Sequence, residues 1–67
     1  MISTGTVVSI GEDAYKVALT PEHMCSCTCC QVVNCAYNSA LQEFKKKMGV
    51  NTCEQLIGVR KHFVKVD

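Results

Sequence analysis

The sequence predicts a small α+β domain with an amino-terminal β-hairpin, a central amphipathic helix and a carboxyl-terminal strand, in the order ββαβ. Two runs rich in β-branched and aromatic residues, 6–10 and 14–19, flank a turn. Apolar residues then recur at helical spacing between residues 37 and 48, and they alternate loosely from residue 59 to residue 66. A chain of 67 residues makes one domain, so we expect residues 1–67 to form two layers around one core.

The predicted hairpin turns at the sequence Gly-Glu-Asp, whose residue types favour turns. Side chains alternate across a strand, so Val8 and Ile10 share one side of the first strand. By the same rule Tyr15, Val17 and Leu19 share one side of the second strand. One face of the sheet is therefore expected to be apolar.

The central helix is predicted over residues 38–48. Its apolar face consists of side chains spaced four, three and four residues apart. Gly49 follows a lysine-rich last turn, which is typical of a helix end. The apolar face is formed by Tyr37, Leu41, Phe44 and Met48.

A helix start is also expected at Thr20, because a threonine before a proline can cap the first free amides. The apolar face extends back to Cys30 and Cys27, so one continuous helix from Pro21 to Met48 is an alternative. We favour a break near the cysteines, since so long a helix needs a partner along its length.

A second, shorter helix is expected after Thr52, because Gln55 stands three residues later and completes a capping box. A last strand is predicted after this short helix, and we expect it to lie beside the hairpin. The last strand and the central helix together then cover one face of the sheet.

Five of the six cysteines lie within residues 25–35. Cys27 and Cys30 are separated by two residues, a spacing that lets two thiolates reach one metal ion in a tight turn. His23 and Cys53 are alternatives for the fourth ligand, and Cys53 is first expected to pack in the core. The metal ligands that we predict are Cys25, Cys27, Cys30 and Cys35.

Zinc is the metal we expect, because three or four thiolates satisfy its tetrahedral site. Cu(I) and an iron–sulfur cluster use the same ligands and stay as alternatives. Adjacent and one-apart cysteines are more typical of multi-thiolate clusters than of a single zinc ion, and this favours Cu(I) or a second zinc ion.

The first functional interpretation is a soluble, cytoplasmic metal-binding module for protein interaction. One alternative is a thiol redox couple or a Cu(I) or iron–sulfur carrier. Another is a partner-binding or inhibitor protein, such as one encoded by a phage or mobile element, whose cysteines only pack the core. No enzyme is expected, because two histidines among many thiols do not define a nucleophile and its base.

The expected partners are another protein and a second copy of the chain. A homodimer is predicted because the apolar helix face is longer than a three-stranded sheet covers. A net charge of +1 is too small for a dedicated nucleic-acid-binding module. Apolar runs of two or three residues are too short for a membrane span, and the amino terminus lacks a signal sequence, which favours the cytoplasm.

One resemblance bears on the cysteines. The sequence Gly-Thr-Val-Val-Ser-Ile from Gly5, the turn and second strand through Leu19, and then Cys27, Cys30 and Cys35 resemble the amino-terminal cytoplasmic segment of the RseC/MucC family. Members of that family are linked to envelope-stress signalling and to reduction of a redox-sensing regulator. They continue into two membrane spans, which have no counterpart in this sequence. The resemblance implies a metal or redox role for the three cysteines.

Overall fold

Among the residues that the structure describes, three antiparallel strands form one sheet in the order β1-β2-β3. They are β1 (Val7–Ile10), β2 (Asp13–Leu19) and β3 (Lys61–Val66). The computed structural model describes residues 1–32 and 34–66. Val8 pairs with Tyr15 across the hairpin, and Val17 pairs with Phe63 between β2 and β3. The predicted hairpin and final strand are therefore confirmed, and with the helices they make the predicted small α+β domain.

In residues 1–32 and 34–66, three short helices follow the hairpin and precede β3. They are α1 (Ser26–Cys29), α2 (Ser39–Met48) and α3 (Cys53–Ile57), and a 3₁₀ turn over Cys35–Tyr37 comes before α2. The chain is thus not helical from residue 21 to residue 48. The predicted break near the cysteines is confirmed.

Local signals fix both ends of α2. The Asn38 side chain accepts a hydrogen bond from the Leu41 amide at 3.1 Å, which caps the first turn. Gly49 ends the helix with a φ of 74°, a conformation that costs glycine little. Leu41 is buried, but Tyr37 is 90% exposed and Met48 is 50% exposed. The predicted apolar face is therefore wrong at Tyr37, because that residue belongs to the 3₁₀ turn and not to α2.

The capping box at α3 is present as predicted. The Gln55 amide donates to the Thr52 hydroxyl at 3.1 Å, and the Thr52 amide donates back to the Gln55 side chain at 3.3 Å. Leu56 and Ile57 of this short helix are both buried. The capping box thus stabilises the amino-terminal end of α3, and its carboxyl-terminal end packs in the core.

The helix start predicted at Thr20 is wrong. Strand β2 ends at Leu19 and α1 begins only at Ser26. The Thr20 hydroxyl is buried and bonds side chains of β3 and α1 instead of helix amides. A buried hydroxyl needs polar partners, and two side chains brought close by the fold supply them.

The core lies between one face of the sheet and the helices α2 and α3. It consists of alternate strand residues, apolar residues of the two helices, and Val32 from the segment that follows α1. The Tyr15 and Phe63 rings meet edge to face, with centroids 6.1 Å apart. Leu19 continues this face but is 66% exposed, so the helices do not cover the end of β2. The buried core residues are Ile10, Tyr15, Val17, Val32, Leu41, Leu56, Ile57 and Phe63.

Within the part of the chain that the structure describes, no helix has the length and apolar character needed to cross a membrane.

Candidate metal centre

Four cysteines line one small cavity of about 50 Å³ beside β3. The rest of its wall is made of apolar and basic side chains of α3 and β3, with Ser26 of α1. All six cysteines are free thiols. The four that line the cavity are Cys27, Cys30, Cys35 and Cys53, and we call them the inner thiols.

Three separate segments supply the inner thiols. Cys27 lies in α1, and Cys30 ends that helix with its amide hydrogen-bonded to the Ser26 carbonyl at 2.9 Å. Cys35 opens the 3₁₀ turn, directly after Asn34 in the left-handed conformation with a φ of 51°. Asparagine tolerates that conformation better than most residues, so it suits the position directly before Cys35. Cys53 is the first residue of α3.

Hydrogen bonds to the outer edge of β3 fix the chain that follows α1. The Gln31 amide donates to the Phe63 carbonyl at 2.8 Å. The Lys65 amide donates to the Gln31 side-chain oxygen, also at 2.8 Å. Gln31 therefore extends the pairing of β3 and holds the residue next to Cys30 against the sheet.

A buried polar network holds the other end of α1. The Thr20 hydroxyl lies 2.8 Å from Nδ1 of His62 and 3.0 Å from the Ser26 hydroxyl. Thr20 and His62 are each only 8% exposed. His62 and Ser26 also line the cavity of the inner thiols. The network thus connects the start of α1 to β3 at the edge of the candidate site.

Burial raises the pKa of the Cys53 thiol above its ordinary value. The Lys45 ammonium group lowers that pKa, and the neighbouring Cys30, Cys35 and Cys27 raise it again. Charge on any one inner thiol therefore opposes charge on Cys53. A cation bound among them would remove this opposition and favour the thiolates.

The structure brings together three of the four predicted ligands. Cys27, Cys30 and Cys35 line the cavity, whereas Cys25 is exposed and precedes α1 as its N-cap residue. Cys53, an alternative in the sequence-based prediction, is the fourth cysteine that lines the cavity. Its position directly after a helix cap gave no local sign of this, because only the packing of α3 against β3 brings it near the other thiols.

The inner thiols fit a metal ion by donor type, number and common cavity. In the described residues, no three His, Cys, Asp or Glu side chains already have the geometry that holds a metal ion. Ligation at a metal–sulfur distance of about 2.3 Å therefore requires the thiols to move toward one another. Cys27 is exposed and belongs to a helix of four residues, so its side chain has room to turn.

Comparisons with protein-family models, with curated proteins and with solved structures found no match to this chain.

Proposed function

We propose that this chain is a small metal-binding module in which Cys27, Cys30, Cys35 and Cys53 hold one zinc ion. The observation that carries the proposal is the common cavity of these four thiols, which come from three segments of the chain. Zinc takes four thiolates in a tetrahedral arrangement in closed structural sites. The same site accepts Cu(I) or iron on donor type alone, so zinc is our choice among metals that favour thiolates.

The stabilisation of a small domain gives such a site its role. A chain of 67 residues buries too little surface for a large margin of stability. A zinc ion bound to α1, the 3₁₀ turn and α3 connects the segments that β-sheet pairing leaves free. The binding free energy then adds to the free energy of folding, because the unfolded chain lacks the site.

The inner thiols bind the metal, and the residues around them hold the site in place. All four lose a proton and bind the metal as thiolates. His62 and Thr20 hold the start of α1 near β3, and Gln31 holds its end. Lys45 supplies positive charge near Cys53, which offsets part of the negative charge of a four-thiolate site.

Two rival functions use the same thiols. Cys27 and Cys30 can act as a dithiol redox pair, because they flank one turn of the chain and Cys27 is exposed. Core packing accounts for Cys30, Cys35 and Cys53, which are partly buried against the core. Packing does not account for Cys27, since an exposed thiol contributes little to a core.

We propose another protein as the partner, and a second copy of this chain as one such partner. Tyr37 is 90% exposed and Met48 is 50% exposed at the two ends of the α2 segment. A partner that covers this side of the molecule would bury both side chains, which is the reason for proposing an interface there. A reducing compartment such as the cytoplasm suits the proposal, because the thiols stay available to a metal there.

The test measures zinc content by native mass spectrometry after the reduced protein is equilibrated with zinc and desalted. We expect one zinc ion per chain in the wild type and in Cys25→Ser, and none in Cys53→Ser. Cys25→Ser is the matched control, because it removes one thiol from the same sequence cluster without touching the cavity. A wild type without zinc, or equal zinc in both variants, contradicts the proposal. Loss of two hydrogens on mild oxidation in a zinc-free wild type would instead favour the dithiol pair.

A further inference from the structure

A pair of sulfur atoms lies in contact outside the cavity of the inner thiols, and a third cysteine stands beside them in the chain. The Cys29 thiol is 3.9 Å from the Met24 thioether. Cys25 stands next to Met24 in the chain and is exposed, while Met24 is 41% exposed. We call Met24, Cys25 and Cys29 the outer group. Met24 and Cys25 are exposed and Cys29 is half-buried, so all three thiol or thioether groups lie at the surface.

The geometry of α1 separates the outer group from the inner thiols. The Cys29 amide donates to the Cys25 carbonyl at 3.3 Å, so one helical turn joins them. Residues four apart lie on the same side of a helix, which places Cys25 and Cys29 on one side. Cys27 and Cys30 are three apart and lie on the opposite side, where they line the cavity. Four of the five clustered cysteines thus lie on two sides of one short helix, and the fifth, Cys35, lies in the 3₁₀ turn.

We propose that Met24, Cys25 and Cys29 form a binding site for Cu(I). Two thiolates and one thioether are soft ligands, and soft ligands select Cu(I) over harder divalent ions. On binding, both thiols lose their protons to solvent and two copper–sulfur bonds form, while the neutral thioether adds a third. The copper stays in its monovalent state, so no electron transfer is involved.

The thioether distinguishes this site from the inner one. Zinc sites in proteins use thiolate, imidazole and carboxylate ligands, so Met24 adds little to zinc binding. The inner thiols lack a methionine among the residues that line their cavity. The two sites therefore differ in the metal that they prefer, and neither proposal depends on the other.

Methionine methyl resonances give a direct test. The chain has three methionines, Met1, Met24 and Met48, and all are at least 41% exposed. Protein labelled with carbon-13 at the methionine methyl groups is titrated with Cu(I) without oxygen, up to two equivalents. We expect the Met24 methyl resonance to shift and to stop shifting by the second equivalent. Met1 and Met48 serve as internal controls whose resonances stay in place.

The double variant Cys25→Ser, Cys29→Ser completes the test. It should bind one equivalent of Cu(I) less than the wild type and should lose the Met24 shift. Because these side chains lie outside the core, its amide spectrum should stay that of the folded wild type. A Met24 resonance that does not move, or that moves equally in the double variant, overturns the proposal. Zinc content tests the inner thiols and the Met24 shift tests the outer group. The two proposals can therefore fail independently, and the measurements show which one failed.

Discussion

The Thr20 hydroxyl lies 2.8 Å from Nδ1 of His62, and both residues are almost fully buried. The same hydroxyl is 3.0 Å from that of Ser26, the first residue of α1. A hydroxyl donates one hydrogen bond and accepts others, so one side chain satisfies both neighbours. This contact sets the distance between β3 and the helix that carries Cys27.

Thr20→Val should destabilise the fold and weaken zinc binding together. The substitution leaves a buried nitrogen of His62 without its partner, which costs about 1–3 kcal/mol. Urea unfolding of the metal-free protein measures the loss, and a zinc titration with a competing chelator measures affinity. Thr28→Val is the control, because Thr28 is exposed on the same short helix. Equal stability of Thr20→Val and the wild type would mean that the buried network does not hold α1.

Thr52→Ala should destabilise α3 by about 1 kcal/mol, since it removes the side-chain cap on the Gln55 amide. Cys53 follows Thr52 directly, so fraying of the first turn also displaces one inner thiol. Urea unfolding with and without zinc is the measurement. The gap between the variant and the wild type should be wider with zinc present. If the difference in unfolding free energy between Thr52→Ala and the wild type is the same with and without zinc, Cys53 is not a metal ligand. Thr4→Ala, at an exposed turn, provides the control.

The metal-free protein should lose stability as the pH rises above about 8.5, the ordinary pKa of a thiol. Burial raises the pKa of Cys53 in the folded state, so the unfolded chain releases this proton at a lower pH than the folded chain. The contribution of Cys53 is thus fully present below the unfolded pKa and is lost through the folded pKa. Urea unfolding from pH 7.5 to pH 10 in reductant measures the slope.

Cys53→Ser should have a shallower loss of stability than Cys25→Ser over the same pH range, because only the first variant removes the buried thiol. Identical slopes would show that Cys53 does not titrate in a buried site. In the presence of zinc, the stability of the protein should instead rise with pH in the range below the pKa of the thiols. The affinity for zinc rises with pH, since each thiol must lose a proton to bind.

The homodimer prediction is tested by sedimentation at micromolar concentration. A dimer has twice the chain mass of 7.4 kDa. Tyr37→Ser should shift the population toward monomer, because Tyr37 is the most exposed large apolar side chain of this region. Lys47→Ser is the control, since it alters an exposed polar position of α2. A wild type that stays monomeric at high concentration contradicts self-association.

The parts of the fold that the sequence predicts well are those with local signals. Asn38 and Gly49 mark the ends of α2, and Thr52 with Gln55 marks α3, because caps act within one helical turn. The Gly-Glu-Asp turn likewise marks the hairpin. Thr20 also has the residue type of a helix cap, but its hydroxyl is buried and contacts His62 instead of capping a helix.

The candidate site divides in the same way. The spacing of Cys27, Cys30 and Cys35 is local, and these three do line one cavity. Cys53 joins them only because α3 packs against β3. The sequence within a few residues of Cys53 does not predict that packing. Cys25 shares the sequence cluster, but it precedes α1 as the N-cap residue and does not line the cavity. The resemblance to the RseC/MucC segment stays a prediction.

Zinc-dependent protection of Cys27 from alkylation distinguishes a metal site at the inner thiols from simple packing. Cys27 is exposed, so packing alone leaves it open to alkylation. The folded protein is treated briefly with iodoacetamide with zinc or with a chelator, and each cysteine is then quantified by peptide mass spectrometry. We expect zinc to protect Cys27 along with Cys30, Cys35 and Cys53, while Cys25 reacts in both conditions. Alkylation of Cys27 at the same rate with zinc as with the chelator would contradict a metal site at the inner thiols.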